Sequence, residues 1–80
     1  MRLPRDISGH DLSKALGSFG YVKVRQTGSH MRLTTQVEGE YHVTIPQHDP
    51  LKIGTLKSIL DGVAEHHHLT RDQLIQELDL

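Results

Sequence analysis

The chain of 80 residues has no cysteine and no tryptophan, and only one phenylalanine and two tyrosines. Without cysteine there is no disulfide, no thiolate metal site and no cysteine nucleophile. No apolar run approaches the roughly 20 residues needed to span a bilayer. The opening residues, Met1-Arg2-Leu3-Pro4-Arg5-Asp6, lack the apolar core of a signal peptide, so the expected location is the cytoplasm, with no membrane partner. A strong charge of one sign is also missing, since the net charge is −1. That value hides an asymmetry. Residues 1–60 hold eight Lys/Arg against five Asp/Glu, whereas residues 61–80 hold one Arg against five acids. An anion-binding surface is therefore expected in the first three quarters of the chain. At this length residues 1–80 read as one α+β domain with one modest core.

Three periodicities follow one another. Ser8 reads as an N-cap, followed at helical spacing by Leu12, Ala15, Leu16 and Phe19. Gly20 suits the C′ position of that helix. Alternation follows, with Val22 and Val24 on one strand face and Tyr21, Lys23 and Arg25 on the other. Gly28-Ser29 suits a two-residue type II′ hairpin turn, in which the first central residue needs positive φ. The next strand places Met31 and Leu33 inward, with His30, Arg32 and Thr34 outward. After a turn at Gly39, a third strand places Tyr41, Val43 and Ile45 inward and His42 and Thr44 outward, and Pro46 ends the ladder. Thr55 reads as the N-cap of a second helix with Leu56, Ile59, Leu60, Val63 and Ala64 on one stripe. Thr70 to Gln73 reads as a capping box opening a short last helix with Leu74, Ile75 and Leu78.

The order is helix, three antiparallel strands, helix, with a helical tail. The expected fold is α+β, α-β-β-β-α, with two helices on one face of a three-stranded antiparallel sheet. That is the order of a double-stranded-RNA-binding domain, and order alone says little about function. The other face is then open, and it is expected to carry Lys23, Arg25, His30, Arg32, Thr34, His42 and Thr44.

On that face the informative stretch is Arg25-Gln26-Thr27-Gly28-Ser29-His30. It presents a histidine just past a tight turn, among cations. An imidazole titrates near neutral pH and can move protons there, while Lys23, Arg25 and Arg32 can hold a phosphate beside it. This points to chemistry on RNA, whose 2′-hydroxyl is itself a nucleophile next to the scissile phosphate. Such a route needs neither metal nor cofactor. His42, on the same expected face, is a candidate auxiliary residue. Lys52 and Lys57, near the start of the second helix, are candidates for phosphate contact, since a helix N-terminus with nearby cations favours anions. The triplet His66-His67-His68 looks like a metal site at first glance. Successive helical positions point about 100° apart and cannot converge on one ion unaided, and the triplet sits where a helix ends.

Four blocks of this chain together resemble the HicA family of toxin ribonucleases from bacterial toxin–antitoxin pairs. They are Leu12 to Gly20, Val24 to His30, Val43 to His48, and Gly54 to Leu60. The resemblance implies a fold similar to double-stranded-RNA-binding domains, cleavage of messenger RNA, and neutralisation by a HicB antitoxin. It implies that His30 is the catalytic residue, presented by Gly28 and Ser29. The expectation is thus a metal-independent toxin endoribonuclease, with Lys23, Arg25, Arg32, Lys52 and Lys57 contacting RNA. The alternatives are a non-catalytic RNA-binding module of the same fold, or a unit whose sheet face serves only a protein partner.

Overall fold

The computed structural model describes residues 3–80. The elements run α1 (Gly9–Ser18), β1 (Tyr21–Thr27), β2 (His30–Thr35), β3 (Tyr41–Pro46), α2 (Ile53–His66) and α3 (Arg71–Leu78). The three strands form one antiparallel sheet in the order β1-β2-β3. This is the expected α+β arrangement.

The helix ends follow local chemistry. The Ser8 side chain accepts from the Asp11 amide at 2.9 Å, and the Asp11 carboxylate accepts from the Ser8 amide, closing a capping box on α1. Thr70 and Gln73 close a second box on α3. At α2 the expectation fails. The helix begins two residues before Thr55, with Lys52 at the N-cap and no side-chain capping bond. Thr55 therefore lies inside the first turn. A Thr followed by a helical stripe is a good cap signal, but Ile53 and Gly54 take up helical geometry as well, and the stripe proper begins at Leu56.

One face of the sheet is covered. Met31 and Leu33 from β2 and Val43 and Ile45 from β3 pack beneath Leu12 and Leu16 of α1 and Leu56, Leu60 and Val63 of α2. Leu74 and Leu78 bring α3 onto the two longer helices. Each such side chain contributes about 1.5–3 kcal/mol when fully buried, and these leucines and isoleucine are the mainstay of the fold.

The first strand corrects the expected alternation. Tyr21 is buried, whereas Val22 and Val24 are 64% and 58% exposed. The register shows why. Tyr21 pairs with Thr35, Val22 with Thr34 and Lys23 with Leu33, but Arg25 pairs with Arg32, leaving an irregularity between Lys23 and Arg25. A bulge inserts one extra residue and breaks the two-residue period. Directly paired residues share a face, so Tyr21, Lys23 and Gln26 lie on the helix side of the sheet. Val22, Arg25 and Thr27 lie on the open side.

Candidate functional site

The open face is laid out in rows across the strands. The first row is Thr27, His30 and Pro46, the second Arg25, Arg32 and Thr44, and the third Val22, Thr34 and His42. His30, Arg32, Thr44 and His42 are exposed, as the alternation of β2 and β3 requires. Arg25, Thr27, His30, Arg32 and Thr44 line an open hollow of about 190 Å³. A larger hollow of about 420 Å³, between residues 3–5 and α3, is lined by Leu3, Pro4, Arg5, Ile75 and Leu80. Among the described residues that line it there is no pair of groups able to do proton chemistry, so the smaller hollow is the candidate site.

The turn before His30 has the expected geometry. Of its two central residues only Gly28 has positive φ, at +57°, as type II′ requires. A Cβ on Gly28 would meet nothing within 4 Å, so the demand for glycine comes from the backbone angle rather than from crowding. The tip is tied down from outside the hairpin. The Gln47 amide donates to the Ser29 carbonyl at 2.5 Å, and the Gln26 side-chain amide donates to Gln47 Oε1 at 2.9 Å. The 46–48 segment is in turn braced by α1, where the Gly9 amide donates to His48 O at 2.8 Å. A Cβ on Gly9 would come within 2.0 Å of Pro46 O. α1, the exit of β3 and the hairpin tip thus form one chain of backbone contacts that ends at His30. Gln26, Gln47 and Gly9 carry no sequence signal of this role, because the contacts join segments that are distant along the chain. Thr27, which lines the hollow, was legible as the position two residues beyond Arg25.

The electrostatics of the hollow are one-sided. Arg25 and Arg32 face each other across β1 and β2, and among the described residues neither has a carboxylate within ion-pairing distance. Like charges placed directly opposite each other destabilise a sheet. An anion between them would remove that repulsion. The His30 ring makes no hydrogen bond to another described residue, so both of its nitrogens are available.

The remaining candidates are placed differently. Lys23 does not line the hollow. It lies on the helix side of the sheet edge, with Nζ 3.1 Å from Gln26 Oε1, and the bulge is the reason. His42 shares the open face but not the site. It stands two rows from His30, four residues along the strands, or about 13 Å at roughly 3.3 Å per residue. That is beyond hydrogen-bond reach of an atom held by His30. Its ring is held on both edges, by Glu40 Oε2 at 2.9 Å from Nε2 and by Thr34 Oγ1 at 2.7 Å from Nδ1. Lys52 is exposed at the N-cap of α2, and Lys57 pairs with Asp61 at 3.1 Å. Neither of these lysines lines the hollow. Arg71 also holds Asp61, with Nε at 2.6 Å and an Nη at 2.9 Å, and the Arg71 hydrogen bond is the main reason the Asp61 carboxyl is held down to about 2.

The histidine triplet does three separate structural jobs. His66 Nε2 lies 3.0 Å from both Val37 O and Gly39 O. Two carbonyls can only accept, so this nitrogen carries the proton. The same ring stacks on Tyr41 at 4.6 Å. His67 caps α2, is buried, packs edge-on against Phe19 and meets the Tyr21 hydroxyl at 3.0 Å. Burial lowers its proton affinity, aided by the neighbouring His66. Burial also pushes the Tyr21 hydroxyl up to about 12, with a further push from Tyr41. His68 lies 3.8 Å from Glu38. The triplet therefore anchors the 36–40 turn and the start of β1 to the end of α2.

Comparison with known proteins adds one finding. The family described as HicA toxin of bacterial toxin–antitoxin matches residues 9–63, from the first residue of α1 into the last turns of α2, which is more than half of the chain. No curated protein and no solved structure matches.

Proposed function

The chain belongs to the HicA toxin family, the toxin side of bacterial toxin–antitoxin pairs, and we propose that it acts as a metal-independent endoribonuclease on messenger RNA with His30 as the proton-transfer residue. The observation that carries this reading is the unpaired Arg25–Arg32 couple directly beside an exposed histidine with both ring nitrogens available. The couple offers a seat for a phosphate, and the histidine offers a base within the same hollow.

The chemistry follows from that placement. With a phosphodiester between Arg25 and Arg32, the neutral His30 ring accepts the proton of the 2′-hydroxyl. The 2′-oxygen forms a bond to phosphorus, and the bond from phosphorus to the 5′-oxygen breaks. The guanidinium groups stabilise the charge that builds on the non-bridging oxygens. The departing 5′-oxygen takes its proton from solvent, to which the hollow is open, His30 returns its proton to the same solvent, and a 2′,3′-cyclic phosphate remains on the other fragment. Thr27 and Thr44 supply hydroxyls at the rim. Lys52 and Lys57, at a distance from the hollow, are then contacts for RNA beyond the cleaved bond, and Lys23 is a contact at the sheet edge.

The same openness bears on control. Among the described residues nothing covers His30. The natural inhibitor is a HicB-type antitoxin whose carboxylates pair with Arg25 and Arg32 and cover His30. Binding of that partner should protect the 21–34 backbone from hydrogen exchange.

The test is incubation of the pure protein with RNA, with and without chelator, beside a His30→Ala control. Cleavage that survives chelation, yields a cyclic or 3′-phosphate, and stops when the cleaved nucleotide is 2′-deoxy is the expected result. A 3′-hydroxyl product, or activity lost to chelator and restored by magnesium, would replace this mechanism with metal-dependent hydrolysis. RNA binding without cleavage would make the chain a binding module.

A further inference from the structure

We propose that His42, fixed by Glu40 and Thr34, is a stacking platform for an unpaired RNA base flanking the cleaved bond, and not a second proton-transfer residue. The proposal rests on the reading of the open sheet face as the RNA surface.

The argument starts from the ring edges. Glu40 Oε2 lies 2.9 Å from Nε2. An ionised carboxylate can only accept, so Nε2 carries the proton. In the neutral ring Nδ1 is then an acceptor, and Thr34 Oγ1 at 2.7 Å donates to it. Both nitrogens are occupied in the ring plane. No donor is left for a phosphate, and the Glu40 carboxylate beside the ring repels one. The faces of the ring remain, and the side chain is 40% exposed. A flat ring with satisfied edges on a side chain exposed to that degree suits a nucleobase, which stacks on histidine as on other aromatic side chains.

The surroundings support an apolar, planar occupant. Val22 stands in the same row as Thr34 and His42 and is 64% exposed, with Val24 beside it at 58%. Phe19, Tyr21 and Tyr41, which make up the chain's whole aromatic set, are packed against the core. His42 is therefore the flat ring available for stacking on the open face besides His30. The Arg25–Arg32 seat lies between the His30 row and the His42 row, so an RNA strand that runs parallel to β2 through the arginine seat passes His42 as it leaves the cleavage point.

The experiment measures binding and cleavage separately. Affinity is read with the His30→Ala protein and a single-stranded oligoribonucleotide, compared with the same oligonucleotide carrying abasic residues. Adding His42→Ala should weaken binding of the intact RNA by about 5- to 150-fold, the range expected for loss of one base stack. The same change should leave binding of the abasic RNA nearly unaltered. His42→Tyr should restore most of the loss, because it keeps a ring. In cleavage by the otherwise unaltered protein, His42→Ala should raise KM and leave kcat and its pH profile in place. Equal weakening on intact and abasic RNA, or failure of Tyr to restore binding, overturns the stacking assignment. A drop in kcat with loss of one limb of the pH profile overturns it in favour of proton transfer by His42. If the protein proves unable to cut RNA, the binding comparison still decides the stacking proposal, so the two readings fail separately.

Discussion

His30 and His67 stand near opposite ends of β1 and use one side chain in opposite ways. His30 follows the hairpin tip, exposed, beside two arginines and without a hydrogen bond to another described residue. His67 sits where β1 begins, buried under Phe19 and bonded to the Tyr21 hydroxyl. The surroundings of the first leave both ring nitrogens free for a ligand. Those of the second disfavour the charged form, because burial removes water and His66 and His68 repel a further cation, with Glu38 opposing them. Identity of the side chain says little. What differs is whether the ring's polar atoms are already satisfied and whether water reaches them.

The sharpest way to break this comparison is His30→Ala. It should lower RNA cleavage by on the order of 10²–10⁴-fold, the usual reach of one acid–base group, and leave the melting temperature unchanged, since the position is exposed. Cleavage at the wild-type rate by a pure His30→Ala protein would remove the residue from the mechanism.

The next effect is on the brace that holds the His30 end. Gly9→Ala puts a methyl carbon against Pro46 O, backbone that cannot swing aside. A stability loss on the order of 1–3 kcal/mol is expected from such overpacking, readable by urea unfolding. Cleavage by the folded fraction should fall as well, because the 46–48 segment carries the bond to Ser29. A stable variant with unaltered activity would show that the brace has no part in placing His30.

Two arginines against one lysine sharpen the assignment of faces. Arg25→Ala and Arg32→Ala should each weaken RNA binding and lower the slope of log affinity against log salt by about 0.7, one phosphate contact on a single strand. Lys23→Ala, on the helix side of the bulge, should change both quantities less. Equal effects from all three would mean that RNA wraps the edge of the sheet rather than lying on its open face.

The smallest effect belongs to the His67 end. Burial holds its proton affinity below the ordinary value of 6.5, so the unfolded chain takes up the proton more readily than the native one. Stability should be complete above about pH 6.5 and fall as the pH drops below that value, until the native ring itself protonates. His67→Gln keeps a hydrogen-bonding group near Tyr21 and should flatten this dependence in melting curves between pH 7.5 and 5. An unchanged slope would place the titration on another group.

Much of this was legible along the chain. Helical and alternating periods located all six elements, and the Ser8 and Thr70 boxes marked two helix starts, because capping is a contact between residues three apart. Gly28-Ser29 announced its turn for the same reason, since φ is a property of one residue. Apart from the two-residue misplacement of the α2 start at Thr55, errors arose where a distant partner decided the outcome. Val22 and Val24 alternate like core residues, yet they face water. The bulge at Lys23–Arg25 and the bond from Tyr21 to His67, 46 residues away, turn the strand over.

Residue order alone therefore determined which segments become helix or strand, which face of β2 and β3 is apolar, and that His30 follows a glycine turn among cations. Each of these depends on interactions within a few residues. Only the tertiary structure decided which cations share the His30 hollow, that His42 is locked by Glu40 and Thr34 two rows away, and that the histidine triplet serves as an anchor. Those outcomes depend on strand register and on packing between distant segments, and a one-residue shift in register moves a side chain to the opposite face.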